Sequence, residues 1–292
     1  MKFKVFSKIR FFFLIYSVMI FSACHDSDKI EPEYGERTVL IYMAADNDLN
    51  KDGETNIESI LKGMEQTAGR LVIYIDPRYD VPRLLTVKGG KGCRLDTLET
   101  YTEENSASPE VLARVVKEVQ KRYPASSYGL VLWSHGLGWV PPEYSFPGGY
   151  AMRLPDPDMP RTKYYAEDEH PGTTGKAYMD IREMAARLPG HFSFILWDVC
   201  FMGGIEVAYE LRNKTDYMIA SPAEVISDGF PYEKMMPLLW GGEEAMKQIC
   251  REYYNHYNKY QVNSLWRSAV VGLVKTEELE PLVAKVRTLL AG

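Results

Sequence analysis

The chain has 292 residues, 46% hydrophobic and 25% charged. That globular balance excludes a disordered or collagen-like chain and leaves room for one large domain or two small ones. The formal net charge is −6, and an acidic chain without clustered Lys and Arg offers phosphates little, so no nucleic acid is expected as a partner. Four cysteines are too few for a disulfide scaffold at this length, and no internal repeat is visible.

Residues 1–23 read as an address. Lys2, Lys4, Lys8 and Arg10 precede the apolar run Phe11–Phe21, which is short for a membrane span but fits the core of a signal peptide. Ser22-Ala23 then leads into Cys24. This resembles a bacterial lipoprotein signal, in which the cysteine after the cut receives lipid. The resemblance implies lipidation of Cys24 and an exported lipoprotein anchored at the outer membrane or cell surface. Plain secretion after cleavage near Ala23 is the other reading. The polar stretch that follows, with Asp26, Asp28, Pro32 and Gly35, reads as a linker over 24–37, which leaves 38–292 as the folded domain.

In chain order, Thr38–Ala44 is an apolar run without alternation, the mark of a strand buried on both faces. A helical rhythm over 54–66 follows, then a second buried strand at 71–75. Residues 83–98 read as a hairpin with Gly89-Gly90 at or near its turn. Ser108-Pro109 is a helix start, with Ser as cap and Pro in the first turn, and that helix runs to about Arg122. A third strand spans 129–134. Residues 136–177 form a long Pro- and Gly-rich loop, of the kind that usually carries function. Beyond it come a helix at 179–188, a strand at 192–197, a helix at 203–212, a strand at 217–220, a helix at 243–257, a strand at 269–274 and a helix at 277–290. Alternating strands and helices predict an α/β fold, a three-layer sandwich around a mainly parallel six-stranded sheet. Ligands bind such sheets at the carboxyl ends of the strands.

Two strand ends carry chemistry there. One reads Trp133-Ser134-His135-Gly136, the other Trp197-Asp198-Val199-Cys200. A cysteine becomes a good nucleophile beside a base or a charged partner, and a helix start just after it favours the thiolate. The backbone N–H groups of Gly136 and Cys200 are the candidates for an oxyanion hole. The plainer alternatives are a cysteine packed as a small hydrophobe and a histidine serving a turn. There is no G-x-S-x-G elbow, no P-loop, no G-x-G-x-x-G after a strand, and no H-E-x-x-H or paired C-x-x-C.

The blocks TVLIYMAADNDL, GLVLWSHGLGW and FILWDVCFMGGIEVAYEL resemble the clostripain family of cysteine peptidases, whose fold is similar to that of caspases, legumains and gingipains. The likeness covers roughly 38–274. It implies a cysteine endopeptidase in which His135 is the base or ion-pair partner and Cys200 the nucleophile. It also implies polypeptide substrates cut after Arg, less often Lys. Asp198 falls where the family has the floor of the specificity pocket, although it could equally cap the following helix. Asp228 falls on a second pocket loop. Val199 stands where the family usually has Ala. Zymogens of the family are cut after a basic residue past the catalytic His, which points to self-cleavage at Arg153, Arg161 or Lys163, or at the neighbouring Lys176. No cofactor is needed for this chemistry. Calcium, required in parts of the family, is the one ion implied, and Asp48-Leu-Asn-Lys-Asp-Gly53 has the start of a calcium loop but Ser59 in place of its closing Glu. A surface lipoprotein that binds peptide or glycan without catalysis is the competing function, and a metal-dependent hydrolase a third. Family members often extend further at the C-terminus than this chain does.

Overall fold

The structure, a computed structural model, describes residues 35–138, 166–169, 177–259 and 264–291. Its centre is the parallel pair β1 (Gly35–Ala45) and β2 (Arg70–Pro77), joined through α1 (Asn50–Met64). The hairpin β3 (Arg83–Lys88) and β4 (Asp96–Thr100) extends the sheet antiparallel beyond β2. After α2 (Pro109–Arg122) the chain crosses to the other side of β1 as β5 (Ala125–Trp133), again parallel. Helix α3 (Ile181–Arg187), β6 (Phe192–Asp198), α4 (Ile205–Glu210) and β7 (Thr215–Ala220) continue outward in parallel. The short α5 (Tyr232–Met235) and the long α6 (Glu243–Asn258) lead to β8 (Gly272–Lys275), which closes the edge antiparallel to β7, and α7 (Leu279–Ala291) ends the described chain.

The sheet therefore has eight strands in the order β4-β3-β2-β1-β5-β6-β7-β8, two more than the six expected. The difference is the hairpin, whose strands join the main sheet because Leu84 and Val87 bury apolar side chains on it. Strand β1 also starts earlier than expected and takes in the last residues assigned to the linker.

Alternate residues of β1 feed two cores. Val39, Ile41 and Met43 pack with α1, α5 and α6, while Leu40, Tyr42 and Ala44 pack with α2, α3, α4 and α7. Strands covered on both faces must be apolar at every position, which is why these runs were legible. Helix α2 starts as its sequence predicts, with Ser108 Oγ accepting from the N–H groups of Glu110 and Val111. Because β1 is followed in space by β2 on one side and β5 on the other, the strand order reverses there. The carboxyl ends around that reversal are where an α/β sheet opens a crevice.

Candidate active site

The register of β5 and β6 ends with Trp133 opposite Asp198. His135 and Cys200, each two residues further on, leave neighbouring parallel strands side by side. The two turns then lock together. Gly138 takes φ +71°, and a Cβ on it would lie 2.7 Å from the Phe201 carbonyl oxygen. Only glycine lets the turn after His135 come this close to the residue after Cys200. Phe201 itself has φ +61°, an unusual conformation for a bulky residue. It turns the chain sharply after Cys200, and its N–H is held by Ala223 O at 2.9 Å.

Cys200 is fully buried. Its Sγ accepts the N–H of Val225 at 3.1 Å and faces the Val225 carbonyl at 3.7 Å. A backbone N–H aimed at sulfur favours the thiolate, as any hydrogen bond to a charged form does. His135 is also buried, at 4% exposure, and its Nε2 lies 2.6 Å from Asp48 Oδ1. Gly136 is buried beside it.

Asp198 is wholly buried. Its Oδ2 accepts from the Tyr232 hydroxyl at 2.9 Å and, more distantly, from Phe230 N–H at 3.4 Å. It does not cap the next helix. The residue at the cap of α4 is Gly204, because the turn at Phe201 separates Asp198 from that helix. Burial and then the Asp198 charge push the Tyr232 phenol well above its ordinary value, so it stays a donor. Tyr253, under the same site, is also raised, by burial and then by the charges of Asp198 and Cys200. Asp228, on the loop that passes over Asp198, has an exposed side chain, and its carbonyl accepts from Asn56 Nδ2 at 3.0 Å.

Three further residues of this region went unrecognised in the sequence: Asp48, Val225 and Tyr232. Each reaches the site from a distant part of the chain, and no short motif marks such a contact. The residues that resembled a calcium loop do not form one, since α1 begins at Asn50 and Asn56 bonds Trp133 Nε1 at 2.8 Å. Among the described residues no group of three or more His, Cys, Asp or Glu is arranged to hold a metal ion. Cys93 and Cys250 are free thiols away from the site. Cys24, Arg153, Arg161, Lys163, Lys176 and His170 lie outside the described residues.

Comparison with known proteins agrees with this geometry. The model of the clostripain family matches residues 41–292. Clostripain of Hathewaya histolytica is 26% identical over 237 residues, 70% of this chain and 42% of that protein, so the chain spans under half the length of this curated relative. A secreted C11 cysteine protease from Bacteroides thetaiotaomicron, solved with an irreversible peptide inhibitor, superposes with a TM-score of 0.73 at 32% identity, covering 88% of this chain and 71% of that one. An inactive zymogen C11 protease from Parabacteroides distasonis superposes with a TM-score of 0.71 at 35% identity, covering 89% and 67%.

Proposed function

The chain belongs to the clostripain family, and we propose that it is a cysteine endopeptidase whose working pair is His135 and Cys200. The observation that carries this reading is the register of β5 and β6, which brings the two side chains out of adjacent strands at the switch point of the sheet. The Cys200 thiolate attacks the scissile carbonyl carbon, and the N–H groups of Gly136 and Cys200 receive the oxyanion. His135 gives its proton to the leaving amine as the C–N bond breaks. Water then hydrolyses the thioester, with His135 as base.

Asp198 is the proposed floor of the pocket for the residue before the cut. Its Oδ2 is held by Tyr232, so the carboxylate presents a fixed face, suited to a bidentate guanidinium and less well to an ammonium. Asp228 adds negative charge on the adjoining loop. Cleavage after Arg, and after Lys more slowly, follows.

The rest of the proposal concerns the chain's life outside this site. One structural neighbour is described as an inactive zymogen, and Arg153, Arg161 and Lys163 are the proposed points of self-cleavage here. Another is described as secreted, in keeping with export, a signal over 1–23 and a lipid on Cys24 that anchors the domain to the outer membrane. Calcium dependence stands as an expectation of the family, and no step above runs through a metal.

Turnover of fluorogenic Arg, Lys and uncharged peptides by the full chain tests this reading, with and without calcium and prior tryptic nicking, beside Cys200→Ala. Arg cleavage that disappears in Cys200→Ala is the expected result. Cleavage after another residue would keep the pair and remove the basic pocket. No cleavage under any condition would favour a peptide- or glycan-binding lipoprotein.

A further inference from the structure

We infer that Asp48 is the third member of the catalytic group, a positioning residue that holds the His135 ring and its charge through Nε2. The inference rests on the His135–Cys200 reading above. Its basis is the 2.6 Å contact between Asp48 Oδ1 and His135 Nε2, short enough for a charge-assisted hydrogen bond.

A surface carboxylate near a histidine is often incidental, and the Asp48 side chain is 66% exposed against 5% for His135. What sets this pair apart is how its two turns are held. Asn47, fully buried, donates from Nδ2 to Ala44 O at 3.0 Å and Glu167 O at 2.7 Å, and accepts Leu49 N–H on Oδ1 at 2.9 Å. Asp48 is therefore carried between two buried residues on a fixed turn. Ser134, next to His135, donates its hydroxyl to the same Ala44 O at 2.8 Å. One carbonyl at the end of β1 thus anchors both the turn that presents the carboxylate and the turn that presents the imidazole. A ring oriented by this kind of partner keeps one tautomer and one pose.

The proton path follows. With Nε2–H donated to Asp48, Nδ1 is the atom that exchanges protons at the reacting centre. Nδ1 takes the Cys200 thiol proton, giving thiolate and imidazolium, and the Asp48 carboxylate stabilises that cation from the far side. After attack, Nδ1–H passes to the leaving amine, and the neutral ring keeps Nε2–H on Asp48. Asp48 never takes the proton.

The test compares the full chain with Asp48→Ala and Asp48→Asn, with His135→Ala and Cys200→Ala as references, by the pH dependence of kcat/KM and by iodoacetamide alkylation of Cys200. Loss of the carboxylate makes the imidazolium easier to deprotonate. Both Asp48 variants should therefore move the alkaline limb of the profile to lower pH and cut kcat about tenfold or more with KM little changed. Unfolding midpoints near the wild-type value would show that the fold is kept, and Asp48→Asn serves if the alanine variant does not fold. An unmoved alkaline limb with wild-type kcat overturns the role of Asp48 and leaves the pair standing. Activity that survives in Cys200→Ala or His135→Ala instead overturns the pair itself.

Discussion

The Tyr232 hydroxyl donates to Asp198 Oδ2 at 2.9 Å across 34 residues of chain, with both groups fully buried. A buried carboxylate needs donors, and this one draws a phenol from α5 rather than a charge from its own strand. Tyr232→Phe removes the donor and little else. It should cost about 1.5–3 kcal/mol, the range for a hydrogen bond to a charged group. Urea unfolding measures this, and a loss too small to resolve would mean that Asp198 takes its support elsewhere.

Gly229 completes the same support. It takes φ +72°, and a Cβ there would lie 2.5 Å from Asp198 Oδ2. Gly229→Ala combines a left-handed backbone with a clash on the carboxylate, for a loss of about 2 kcal/mol or more. Because the clash is with the proposed pocket floor, kcat/KM for Arg peptides should fall beyond what thermal unfolding accounts for. A variant with wild-type melting and wild-type kinetics would contradict this placement.

Asp76, at the end of β2, gives stability a pH dependence. Burial pushes its carboxyl up to about 9 from 3.8, and the charges of Asp168, Glu103 and Asp46 act in the same direction against partial relief from Ser106. The folded form holds a proton that the unfolded chain has lost above about pH 4, so stability declines as pH rises through this window to about 9. Asp76→Asn removes that decline. Its gain over wild type should grow from near zero at about pH 4 to about 1–4 kcal/mol at about pH 8. A difference that stays constant with pH would show that Asp76 does not titrate in this way.

Most of the sheet was legible because β1, β2, β5, β6 and β7 are buried on both faces and must be apolar throughout. The positions of His135 and Cys200 were legible for the same reason, each standing just past such a run. Other features depended on contacts that local sequence does not encode. Helix α5 is a single turn after Pro231, too short to show a period. The start of α1 was hidden in a run of Asp and Asn that reads as a turn, and Asn47 does fold back there onto Leu49 N–H. Asp48 resembled a cation ligand, since nothing near it in sequence announces a histidine 87 residues away. Tyr232 and Val225 reach the site only once β7 has been laid beside β6.

The pairing of His135 with Cys200 is tested most directly by covalent labelling. The full chain, intact and after tryptic nicking, is treated with an Arg-terminated peptide carrying a thiol-reactive group, and adducts are located by mass spectrometry. The account predicts one adduct, on Cys200, formed much faster than with an uncharged peptide and lost in His135→Ala. Labelling of Cys93 or Cys250 instead, or equal labelling of Cys200 in His135→Ala, would contradict it.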